Sequence, residues 1–135
     1  MIEVVISLGI LGICIIILAN IVKGFINSNE TRLIKYNVNE TLYAICSEVK
    51  YNVAYEDIRD EIKNNKLTFL YNEEFLSLLP NTKLLFMNKN AKDDEKIELE
   101  LIEDNGEYMK INIKIIYKDI KEEQIIFKAP WMEYV

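Results

Sequence analysis

The chain has no histidine at all. That removes the commonest general base and the commonest metal ligand. No Ser/His/Asp or Cys/His set is available for nucleophilic chemistry. There is no glycine-rich loop to cradle phosphate, no internal repeat and no low-complexity tract. Only two cysteines occur, Cys14 and Cys46. On one continuous helix they lie on the order of 48 Å apart at 1.5 Å per residue, too far to pair within the chain. They read as small hydrophobes rather than as redox or metal groups. Basic runs are missing too. The formal charge is −6, and lysines and arginines are scattered among acids. Such a chain repels nucleic acid unless it carries a separate basic patch, so no nucleic-acid partner is expected. Acid pairs are plentiful (Glu73 and Glu74, Asp93 and Asp94, Glu122 and Glu123), but their settings read mainly as turns and helix starts, where solvated carboxylates belong. A non-catalytic protein without cofactor or metal is the expectation. A membrane-tethered enzyme would need a convergent acidic pocket.

What is abundant is apolar residues, and they are concentrated. The stretch VVISLGILGICIIILANIV, Val4 to Val22, carries no charge, with Glu3 before it and Lys23 after it. Its length is close to the roughly 20 residues with which a helix crosses a bilayer core. A cleaved signal peptide fits poorly, since no basic residue precedes the run and no small-x-small site ends it. A buried soluble helix fits poorly as well, because a chain of 135 residues can hardly cover so long an all-round apolar surface. Glu3 is the unusual residue. By itself it is open between a headgroup-level carboxylate at a helix N-terminus and a carboxylate at the apolar edge with a charged partner.

Beyond Lys23 the period changes. Ile34, Val38, Leu42, Ile45, Val49 and Val53 recur at steps of three and four, one face of an α-helix. Gly24 and Asn27-Ser28-Asn29 weaken that helix at the junction. Tyr55 to Asn64 reads as a short second helix with Ile58 and Ile62 on one face, ended by Asn64-Asn65. Lys66 to Tyr71 alternates as a strand. Asn72 reads as the cap of a helix over Glu73 to Leu79, stopped by Pro80. Lys83 to Asn88 reads as a strand. Ile97, Leu99 and Leu101 alternate with glutamates, and Met109, Ile111, Ile113 and Ile115 alternate with lysines and asparagine. Asn105-Gly106 between them is a strong hairpin signal, and the outer-face acids and lysines are placed to pair across it. Lys118 to Glu123 reads as a turn and Gln124 to Lys128 as a last strand.

These elements imply an α+β fold. A long N-terminal helix, membrane-spanning in its first half, packs its amphipathic second half on an antiparallel sheet of three or four strands. The division expected is 1–24 as the span and 25–135 as one globular domain. Trp131, near the end, reads as a packing anchor, and sheet packing accounts for most of the tyrosines.

The segment Met1-Ile-Glu-Val-Val-Ile-Ser-Leu-Gly-Ile-Leu-Gly-Ile resembles the start of type IV pilins and pseudopilins. That family usually has Phe-Thr-Leu-Ile-Glu followed by an apolar helix. Ile2-Glu3 matches, and Met1 stands where Leu usually stands. The match covers about the first 20 residues; beyond it only the order of elements, long helix then sheet, agrees. The Lys-Ala-Pro-Trp-Met ending is similar to minor pilins of low-GC Gram-positive bacteria. The resemblance implies a structural subunit of a type IV pilus, a type II secretion-like filament or a DNA-uptake filament. It also implies a basic leader ending in Gly ahead of Met1, removed by a prepilin peptidase, and methylation of the new amine. The subunit would wait in the cell membrane as a single-pass protein, globular domain outside, until an assembly platform moves it into a cell-surface filament with other pilin subunits. Glu3 carries over as the glutamate that pairs with a neighbour's N-terminal amine, and Ser7, Gly9 and Gly12 would let helices approach closely. The proline that kinks the apolar helix of many major pilins is absent between Met1 and Val22, which points to a minor pilin or pseudopilin. The other reading is a membrane-anchored extracytoplasmic binding or adhesion domain that does not polymerise.

Overall fold

A computed structural model describes residues 2–63 and 66–132. The order of elements is helix α1 (Ile2–Ser47), a π-helical turn (Glu48–Asn52), α2 (Tyr55–Ile62), strand β1 (Leu67–Leu70), α3 (Phe75–Leu78), a 3-10 turn (Leu84–Phe86), β2 (Glu95–Asp104), β3 (Met109–Tyr117), β4 (Ile120–Lys128) and a final 3-10 turn (Pro130–Met132). The chain divides into two compact units, Met1–Lys35 and Tyr36–Val135. The fold is α+β with a long N-terminal helix and an antiparallel sheet, the pilin-like arrangement expected from the sequence.

In the larger unit the four strands form a meander in the order β1-β2-β3-β4. All three pairings are antiparallel. Side chains alternate across a strand, so Ile97 and Leu99 of β2 and Met109, Ile111, Ile113 and Ile115 of β3 share one face, and all are fully buried. The register sets Ile97 beside Ile115, Leu99 beside Ile113 and Leu101 beside Ile111. Val38, Leu42 and Ile45 of α1, followed by Val49 and Val53, are buried as well, joined by Thr41 and Cys46. Ile34, the first residue of that stripe, is only half-buried and belongs to the N-terminal unit. Helix α1 runs without a break through Gly24 and Asn27-Ser28-Asn29.

The π-helical turn was not legible beforehand and solves a problem of period. Ile45, Val49 and Val53 advance by four residues each, faster than the 3.6 of an α-helix. A π turn holds more residues per turn, so Val49 and Val53 stay with the core. Lys128 occupies the same region. Its ammonium is completely buried and donates to the Lys50 carbonyl at 2.7 Å. A buried charge needs such a partner. Alongside, the Cys46 thiol donates to Oε1 of Gln124 at 3.5 Å. Burial pushes that thiol up to about 11, against the opposing pull of Lys50.

Several local expectations are corrected. The segment 83–88 is no strand. Leu84 and Met87 are both buried and three residues apart, the spacing of a helical turn, while Phe86 points out. Its Asn88 carbonyl meets the sheet at the outer edge of β1, accepting from Leu70 N at 2.8 Å. The helix expected over Glu73 to Leu79 shrinks to α3, and Asn72 contributes its carbonyl to Phe75 N at 3.1 Å rather than a side-chain cap. The last turn contracts to Lys118 and Asp119, with Lys118 at φ 54° and its N–H donating to Asp94 O at 2.9 Å. Strand β4 therefore starts at Ile120 and takes in Glu122 and Glu123, which are not turn residues. Trp131 is 79% exposed rather than an anchor. It lies on the final 3-10 turn, which follows the buried Lys128 and Ala129. The Asn64-Asn65 helix end lies outside the described residues.

The Asn105-Gly106 signal marks a four-residue loop rather than a two-residue turn. Gly106 has φ +84°, a value L side chains rarely adopt. Asn105 Oδ1 accepts from the N–H groups of Glu107 and Tyr108, both at 3.0 Å. A bulge near Ile102 precedes the loop. Asp104 ties it to α2. Its carboxylate accepts from Gly106 N at 3.0 Å, Arg59 Nε at 2.8 Å and the Tyr55 hydroxyl at 3.3 Å. The Gly106 N–H is the largest influence holding this carboxyl below its ordinary value; partial burial opposes it, and Arg59 and Tyr55 add to the lowering. On the outer face the expected cross-strand pairing occurs at Glu98, between Lys96 at 3.0 Å and Lys114 at 3.6 Å. Burial pushes the Glu98 carboxyl up, but the Lys96 hydrogen bond and the surrounding lysines outweigh it and the net direction is down.

Ile113→Ala should cost about 2–5 kcal/mol, measured by denaturant unfolding of the full chain in detergent. Asp104→Asn tests the loop anchor. A depressed carboxylate stabilises the fold above its unfolded-state pKa, and that stability is lost as pH falls through its folded-state pKa. The wild type should therefore lose more stability than the variant on acidification across the carboxylate range, in thermal melts taken as a pH series.

Candidate membrane and helix-packing surface

The N-terminal unit owes its character to what its helix does not touch. Among the described residues, every one from Ile2 to Ile26 except Gly12 is exposed. Leu8, Ile10, Leu11, Ile13, Ile16 and Leu18 all leave half or more of their surface uncovered. Hydrocarbon on all sides of a helix is unfavourable in water by roughly 25 cal/mol per Å². This helix is long and apolar enough to cross a membrane.

Glu3 lies in the first turn of α1, where unsatisfied N–H groups favour a negative side chain. Ser7 sits one turn on and donates its hydroxyl back to the Glu3 carbonyl at 2.8 Å. This bond satisfies a polar side chain without a partner helix. Glu3, Val4, Ser7, Leu8 and Leu11 line one shallow depression on that side of the helix. Gly9 and Gly12 fall three residues apart on the other side. A Cβ at either would meet nothing within 4 Å. The chain's own packing therefore does not require glycine there. The sequence-derived set thus separates into a Glu3–Ser7 face and a Gly9–Gly12 face, and the stripe from Val38 to Val53 belongs to the core of the other unit.

Among the described residues, no three His, Cys, Asp or Glu side chains come together to hold a metal ion. No protein-family model, curated protein or solved structure matches this chain.

Two features of the larger unit were missed in the sequence. Lys128 reads there as an ordinary strand-end lysine, and only its inward parity on β4 signals burial. Phe86, 78% exposed, was hidden by the expectation of a strand.

The double substitution Gly9→Leu with Gly12→Leu should leave the thermal unfolding of the detergent-solubilised chain unchanged, because no atom of the chain occupies that space. Circular dichroism melts check this; a shift of the main transition would mean that the glycines serve the chain's own fold.

Proposed function

We propose that the chain is a non-catalytic filament subunit, a minor pilin or pseudopilin of a type IV pilus, a type II secretion-like filament or a DNA-uptake filament. The observation that supports this most is a lone carboxylate, Glu3, in the first turn of a helix with no other charge before Lys23 and no covering within its own chain. In this reading residues 1–24 hold the subunit in the membrane with residues 25–135 outside. An assembly platform then transfers the helix from lipid to a bundle of like helices. Both surroundings are apolar, so the transfer leaves the hydrophobic surface covered throughout.

Glu3 supplies register. Once desolvated, a carboxylate needs an opposite charge, and an N-terminal amine of a neighbouring subunit provides it at one axial position only. A subunit docked out of register leaves both charges unpaired, which is strongly unfavourable. Gly9 and Gly12 let a second backbone approach closely, where dispersion contacts hold helices together in the absence of a hydrophobic driving force. A prepilin peptidase would create the amine upstream.

Glu3→Leu should leave the protein in the membrane fraction at normal level but remove it from sheared surface filaments, as judged by immunoblot of both fractions from the native host. Mass spectrometry of the mature N-terminus is the companion measurement. A methylated amine upstream of Met1 agrees with the proposal. An unprocessed chain confined to the membrane, with Glu3→Leu behaving as wild type, overturns it in favour of an anchored binding domain.

A further inference from the structure

The globular unit carries a second surface, separate from the apolar helix. The 3-10 turn Leu84–Phe86 is anchored on both sides by buried residues, Leu84 and Met87. Phe86 between them is 78% exposed. Its ring is thus presented in a set direction without packing of its own. Two adjoining clefts open beside it, of about 210 and 340 Å³. Asp57, Leu85 and Phe86 line both. Val53 and Ala54 add apolar surface to the first.

Carboxylates reach these clefts from two elements, Glu48 from the π-helical turn and Asp57 and Asp60 from α2. Glu48 is engaged by the side-chain amide of Asn52. Glu61 is neutralised by Lys89 at 2.9 Å. Asp57 and Asp60 make no ion pair among the described residues. Among the described residues, Lys83 is the one cation on the lining of either cleft. An exposed aromatic face with carboxylates beside it suits a planar cation. A guanidinium can stack on the ring and donate hydrogen bonds from its edge to a carboxylate. The apolar floor would take an aliphatic residue next to it.

We propose that this groove docks a segment of another polypeptide that presents arginine flanked by an aliphatic residue. Charge complementarity selects the cation, and the exposed Phe86 with the half-buried Leu85 selects a side chain with a flat or apolar body over a solvated metal ion. The lining residues all lie between residues 48 and 86, in the larger unit.

The test uses the full-length protein in detergent micelles and titrates Gly/Ser peptides with an Arg-Leu-Arg centre, read by fluorescence anisotropy. Matched peptides with Gln-Leu-Gln and free arginine amide are the comparisons. Saturable binding of the arginine peptide is expected, weakened about fivefold or more by Phe86→Ala and by Asp57→Asn with Asp60→Asn. Glu123→Gln on the outer face of β4 should leave it unchanged. All these side chains are exposed, and an unchanged circular dichroism melt confirms that each variant is folded. Equal binding of the glutamine peptide, insensitivity to Phe86→Ala, or absence of saturation overturns the proposal. Arginine amide binding as tightly as the peptide also overturns it, because the groove would then recognise a small cation rather than a docked segment.

Discussion

An antiparallel meander that sets Ile97, Leu99, Met109, Ile111, Ile113 and Ile115 on one face cannot leave that face in water. Each of those side chains is worth roughly 1.5–3 kcal/mol when fully buried, and the sheet has no second sheet to pack on. The stripe from Val38 to Val53 provides the complementary apolar surface. Once this burial is required, other features follow. The helix must keep its four-residue steps on one side, which the π-helical turn allows. The buried Lys128 must find an acceptor there, and the Lys50 carbonyl supplies it. The loop at Gly106 must be held against α2, and Asp104 does so through Arg59 and Tyr55.

The same helix carries two kinds of surface in succession. Its first half is apolar all round and, among the described residues, exposed apart from Gly12; its second half is apolar on one side only. The first half is therefore suited to an environment that is itself apolar, lipid or other helices, while the second half is suited to a globular core. A filament subunit needs both on one rod, because the covering of the first half has to be exchanged while the fold of the second persists. Under the proposed filament reading, Glu3 would give the exchange a defined end point, since only one axial position would pair its charge. The groove beside Phe86 has a different logic, an aromatic face and carboxylates built on α2 and a 3-10 turn, and it would act as a docking surface under either the filament or the anchored-domain reading.

Much of this architecture was legible from residue pattern. The uncharged run from Val4 to Val22, the stripe from Val38 to Val53, the alternation in β2 and β3 and the turn at Gly106 all have a period or a backbone requirement that acts locally. The failures share a cause. Lys83 to Asn88 has an apolar composition that suits a strand, but Leu84 and Met87, three residues apart, are both buried, and the segment closes a helical turn. Glu122 and Glu123 look like turn residues, yet β4 is an edge strand and tolerates charge on its open side. Trp131 was expected inside because indoles usually are, but it lies exposed on the 3-10 turn Pro130–Met132.

By itself, then, the sequence determined the apolar span, the lone Glu3 within it, the α+β order of elements and the inward face of each central strand. These are set by composition and by periods of two and 3.6 residues, which neighbouring residues impose on one another. Only the tertiary structure decided where α1 gives way to a π-helical turn, that a lysine is buried at the end of β4, that Phe86 and Trp131 face outward, and that Asp57 and Phe86 share a cleft. Those outcomes depend on which surfaces remain uncovered after the strands and helices have paired, and residues far apart in the chain settle that by competing for the same space.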